Sequence, residues 1–130
     1  QEWAEIFEMR FDLLHRYLGR PKEKKKTKNG LCLIAVERKE IVSTGCFEIE
    51  RKLGHVRYVA VKRNFRHKGI GSRIMKELER VAREKGLNKL YVNSRRPAKK
   101  FFRQLDFRPV SEEFKHRTLG TVHIRMEKPL

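Results

Sequence analysis

No run of apolar residues in this chain approaches membrane-spanning length, and nothing in it resembles a secretory signal. A membrane partner is therefore not expected. Cysteine is scarce. The two residues, Cys32 and Cys46, fit neither a CxxC pair nor a zinc-finger spacing, so no metal site is expected. Negative charge is also short, with 16 Asp and Glu against 33 Lys and Arg, a formal +17. Such a surface suits a polyanion, nucleic acid first among them. An anionic small ligand, a crowded anionic partner or a plain solubility bias fits the same excess. No internal repeat breaks the chain up. At 130 residues with 38% hydrophobic content, a single domain can bury roughly two-thirds of its unfolded surface.

What is present is strongly patterned. Trp3, Phe7, Phe11, Leu14 and Leu18 recur at helical spacing, with Ile6, Leu13 and Tyr17 beside them, so residues 1–18 are expected to form an amphipathic helix. Gly19 and Pro21 stop it, and the charged stretch 22–30 is an exposed loop. LCLIAV (31–36) and IVSTGCFEI (41–49) flank the polar turn 37–40 and predict a hairpin. Such a hairpin sets Cys32 roughly opposite Cys46. A pair of reduced, packed thiols is expected there, implying a reducing, cytoplasm-like compartment. Residues 55–61 form a third strand, 71–86 a helix, 89–93 a buried strand, and Pro97 opens a short helix through Leu105. FRPV (107–110) is extended and 121–127 alternate as a terminal strand. The order predicts an α/β (α+β) sandwich around one mixed sheet.

The stretch AVKRNFRHKGIGSRIM (60–75) carries the chemistry. A helix start offers unpaired N–H groups and the positive end of the macrodipole, which favours an anion. Glycine lets a phosphate approach the backbone, and Arg66, His67 and Lys68 add charge. A Walker loop is absent, and the third glycine of a dinucleotide-binding fingerprint is replaced by Ile74. What remains is R-x-x-G-x-G between a strand and a helix; a tight turn with incidental charge is the plain alternative.

Residues 56–86 resemble the acetyl-CoA-binding core of the GNAT acetyltransferase superfamily, and YVNSRRPAKKFFRQLDF (91–107) is similar to the segment that follows it there. The ending, PVSEEF and then GTVHIRMEKPL, resembles the small ElaA-like branch. The resemblance implies a single acetyltransferase-like domain over 1–130, its first strand expected upstream of Gln1 or missing. It implies acetyl-CoA as cofactor and an amine as acceptor. By the same resemblance, Val59 and Val61 are expected on the strand that pairs with the pantetheine arm, with the Val59 N–H polarising the thioester carbonyl. It implies that Arg66, His67, Lys68, Gly69, Ile70, Gly71 and Ser72 hold the pyrophosphate. It implies too that Asn93 contacts the arm and that Lys99 and Arg103 face the adenosine 3′-phosphate.

The chain departs from the superfamily where its usual tyrosine acid becomes Phe102, which cannot donate a proton. His123 is the leading base, since imidazole titrates near neutrality; a hydrogen-bonded strand histidine is the alternative. Glu50 and Glu48 come second. Two functions are expected. One is an N-acetyltransferase moving the acetyl group directly from thioester to primary amine. The other is a weakened acetyl-CoA-binding or nucleic-acid-binding module, with surplus charge recruiting nucleic acid or a ribosomal surface.

Overall fold

The computed structural model describes residues 10–14, 30–117 and 120–130. Eight strands among these residues make one mixed sheet: β1 Arg10–Leu14, β2 Gly30–Glu37, β3 Glu40–Glu50, β4 Leu53–Val61, β5 Lys89–Arg95, β6 Arg108–Pro109, β7 Phe114–Lys115 and β8 Val122–Pro129. Among the described residues two α-helices accompany them, α1 Ile70–Glu84 and α2 Lys99–Gln104. The strand order is β1-β2-β3-β4-β5-β8-β6, with β7 also on β8. Neighbours are antiparallel except β4 and β5, which run parallel.

Local sequence explains most of this. Arg38 and Lys39 both take positive φ, 47° and 67°, and close the β2–β3 hairpin as a tight two-residue turn. The apolar face of α1 buries Ile70, Ile74, Met75, Leu78, Val81 and Ala82. These pack with Leu31, Leu33, Phe47, Val56, Leu90 and Met126 into one core. Each fully buried aliphatic side chain there is worth about 1.5–3 kcal/mol. Gly45 lets helix and sheet close up, because a Cβ there would stand 2.4 Å from Ile74 Cγ2. Among the described residues no helix is long and apolar enough to cross a membrane.

Two expectations are corrected. Where a helix was expected over 1–18, Arg10–Leu14 is a strand lying antiparallel on β2, Arg10 opposite Val36. Phe11 and Leu13 stand two apart, as on one face of a strand, while Phe11 and Leu14 stand three apart, as on one face of a helix. The segment fits either, and β2 offers an edge of unpaired backbone groups. The remainder of that helix and the loop at 22–29 fall outside the described residues. The second correction concerns the thiols. Cys32 and Cys46 do face each other, as the hairpin implied, but they are joined as a disulfide and not held as a reduced pair. Their Cα atoms are 4.1 Å apart, so directly opposed positions bring the sulphurs within bonding reach. Sequence spacing carries no information on oxidation state.

Candidate active site

The parallel pairing of β4 with β5 runs through Leu53–Lys89, Gly54–Leu90 and His55–Tyr91, and there it ends. Both strands continue, to Val61 and to Arg95, leaving an open fork. Tyr91 stacks on His55 at the closed end, ring centroids 4.3 Å apart, and the Arg125 guanidinium lies 3.9 Å over Tyr91. The Tyr91 hydroxyl donates to Glu50 Oε2 at 3.2 Å. Burial, followed by the nearby Arg57 and Arg125 charges, lowers the His55 pKa to about 4, so the imidazole is neutral. Burial and then the Glu50 carboxylate raise the Tyr91 phenol, which keeps its proton.

Along the open part, β4 bulges. Thr44 stands opposite Ala60 and Cys46 opposite Arg57, so β3 advances two residues while β4 advances three. The bulge includes Tyr58, at φ 55° and 52% exposed. Two hydroxyls on β3 hold this stretch: Ser43 Oγ donates to the Ala60 carbonyl at 2.8 Å, and Thr44 Oγ1 to the Tyr58 carbonyl at 2.7 Å.

Past the end of β4, a short 3₁₀ turn (Arg63–Phe65) leads into α1. Gly69 is the N-cap at φ 79°, with no side-chain cap and no acidic residue in the first turn. The first N–H groups of a fifteen-residue helix are thus left for something else. His67 also takes positive φ, 63°, so left-handed residues flank Lys68 and turn successive amides to a common side. Arg66 folds back, its Nε donating to the Val61 carbonyl at 3.0 Å. The Lys68 ammonium sits 6.0 Å from the Phe65 ring centroid. The two glycines differ. A Cβ on Gly69 would meet nothing within 4 Å, whereas one on Gly71 would lie 3.3 Å from the Phe101 ring and 3.4 Å from Val61. The expectation that both clear room for an anion is corrected at Gly71, which is buried and lets α1, α2 and β4 close on one another.

The remaining expected residues separate into two groups. Asn93 is exposed on β5 beside the fork, two residues past Tyr91. Lys99 opens α2 and is half-buried, and Arg103 is exposed in its last turn. Phe102 is only 5% exposed and packs edge-on against Phe101 and Phe107, inside the core. His123 pairs with Arg95 on β5, four residues beyond the last β4–β5 pair at His55–Tyr91 and so on the open side of the fork. Its Nδ1 lies 3.1 Å from the Thr121 carbonyl and 3.5 Å from the Thr121 hydroxyl, so this nitrogen is turned toward Thr121. Phe114 and His116 flank the ring. Glu50 is not brought to the open side. It pairs with Leu53, six residues from Val59 along β4, or roughly 20 Å at about 3.3 Å per residue. Glu48 is held by Arg57 Nη1 at 2.9 Å. Sequence reading missed the bulge and its two hydroxyls, for no residue type announces a bulge formed by tyrosine.

A sheet that opens between one parallel pair, ending against an uncapped helix, suits a ligand with a phosphorylated end and an extended arm. The chain belongs to the GNAT acetyltransferase family: the profile of the acetyltransferase (GNAT) domain matches residues 13–130. Acetyl-CoA is the cosubstrate of that family. The chain is 28% identical over 104 residues to a Bacillus subtilis (strain 168) protein named for acetyltransferase activity, covering 78% of this chain and 69% of the relative. Its fold is similar to a GNAT family acetyltransferase from Elizabethkingia anophelis with acetyl-CoA bound, at TM-score 0.71 and 16% identity, over 95% of this chain and 99% of that one. It is similar as well to Escherichia coli ElaA, at TM-score 0.67 and 16% identity, over 76% and 68%.

Proposed function

We propose that the chain is an acetyl-CoA-dependent N-acetyltransferase, a single domain that transfers the acetyl group directly to a primary amine. The observation carrying this reading is the uncapped start of α1, preceded by left-handed His67 and Gly69, at the mouth of the β4–β5 fork. Amides from Gly69 to Ser72, with Arg66, His67 and Lys68, receive the pyrophosphate. Lys99 and Arg103 on α2 take the adenosine 3′-phosphate, and Asn93 the arm. Val61 N–H bonds the arm and Val59 N–H the thioester carbonyl, where negative charge grows as the amine attacks. His123 accepts the amine proton at Nε2. The thiolate leaves as the carbon–sulphur bond breaks and takes its proton from water, since Phe102 has none to give. A thiolate leaves readily enough to make this workable. General-acid help is typically worth ~10²–10⁴-fold, and positioning with oxyanion stabilisation a larger share.

A cytoplasmic location is proposed with this activity, because acetyl-CoA is used inside cells. The Cys32–Cys46 disulfide argues the other way, since cytoplasmic thiols are normally reduced. Titration calorimetry with acetyl-CoA, followed by an amine-library screen for acetylated product and released thiol, tests the reading. Binding, and transfer that His123→Ala slows by at least tenfold, are expected. No heat of binding and no co-purified CoA would overturn it.

A further inference from the structure

We infer that Ser43 and Thr44 are positioning residues: their hydroxyls aim the two β4 amides that receive the acetylated arm. The inference rests on the acetyl-CoA reading above and adds to it the groups that orient those amides.

No cis peptide occurs among the described residues. In a planar trans peptide the carbonyl and the following N–H point in opposite directions. Thr44 Oγ1 draws the Tyr58 carbonyl toward β3 at 2.7 Å, so the Val59 N–H must point away from β3, into the fork. Ser43 Oγ does the same to the Ala60 carbonyl at 2.8 Å, turning the Val61 N–H the same way. Neither amide meets β5, because β4–β5 pairing has already ended at His55–Tyr91. The device matters most at Tyr58. A tyrosine at φ 55° is outside its ordinary range, and its plane can relax unless something outside the strand fixes it. Adjacent residues of β3, Ser43 and Thr44, fix two peptide planes two residues apart, across the register shift.

The two hydroxyls make separable predictions. Val59 N–H meets only the acetyl carbonyl, so Thr44→Val, which keeps shape and loses the hydrogen bond, should reduce the preference for acetyl-CoA over free CoA. A loss of about fivefold is expected, one net hydrogen bond. Thr44→Ser should restore it, and Thr44→Ala provides a second deletion should the valine variant fold poorly. Ser43→Ala should weaken both ligands alike. Calorimetry with acetyl-CoA and with CoA reads these ratios. The ¹⁵N–¹H shift of Val59 on adding acetyl-CoA reports the amide directly, and a thermal melt separates positioning from general loss of structure. A valine variant that keeps the wild-type preference and the Val59 shift overturns the assignment while leaving the acetyl-CoA reading standing. A wild-type chain that binds neither ligand overturns both.

Discussion

Gly69 and Gly71 stand two residues apart at one helix start and serve different ends. Gly69 needs a left-handed backbone and borders open space; Gly71 needs neither, and is small so that Phe101 and Val61 can close in. Gly69→Val would place a β-branched side chain at φ 79°, a conformation such residues rarely adopt, and set its methyls where an anion would sit. We expect CoA affinity to fall by more than tenfold, about 1.4 kcal/mol, with stability lowered by about 1–2 kcal/mol. Gly71→Ala keeps every N–H of the helix start, so affinity should stay within about threefold. Its Cβ would stand 3.3–3.4 Å from Phe101 and Val61. That crowding offsets the roughly 0.5–1 kcal/mol helical gain of alanine over glycine, so stability should change by less than about 1 kcal/mol. Calorimetry and a urea titration on each variant read the two effects apart; equal loss of affinity in both would contradict the division. The motif around these glycines was legible in the sequence, because charge, glycine and the onset of helical periodicity coincide there. Which glycine did what was not, since that depends on a phenylalanine thirty residues away.

Elements were legible where their pattern was exclusive. The hairpin at 31–49, the helix at 70–84 and the alternating end of the chain follow from spacing alone, whereas Arg10–Leu14 carried spacing compatible with helix or strand and was settled by the open edge of β2. The fork lay beyond sequence reading, since it depends on where β4 and β5 cease to pair. His55 and Tyr91 mark that point, and their stack makes a measurable prediction. Imidazole titrates near 6.5 in the unfolded chain and about 4 in the folded one. Between those values the unfolded chain binds the proton first, so stability falls as pH drops from about 6.5 to about 4, and this residue contributes no further loss below that. The loss should reach roughly 3 kcal/mol. Urea titrations across this range should show the slope in the native chain. His55→Gln, neutral throughout, should flatten it; an unchanged slope in that variant would place the proton uptake elsewhere.

At the scale of the whole molecule the +17 charge acts on folding and on ligand binding in opposite senses. Self-repulsion among so many cations opposes the compact state. Exposed ion pairs such as Arg80–Glu84 and the two-point Arg96–Glu113 contact offset part of it, but such pairs are worth only about 0–1 kcal/mol each. Two cations for every anion means that repulsion exceeds pairing, so screening should stabilise the fold. Coenzyme A is a polyanion, and the attraction to Arg66, Lys68, Lys99 and Arg103 that we propose for it would be screened by the same ions. Raising sodium chloride from about 0.05 to about 0.5 M shortens the screening length from about 14 to about 4 Å. Over that range the melting temperature of the free chain should rise by a few degrees, while CoA affinity drops several-fold. The ligand-induced gain in melting temperature must therefore shrink from both sides. A chain whose melting temperature falls with salt would show that its ion pairs, and not its excess positive charge, dominate the electrostatics of folding. One whose CoA affinity ignores salt would show that the cradle binds through backbone amides alone, with the basic residues serving some other anion.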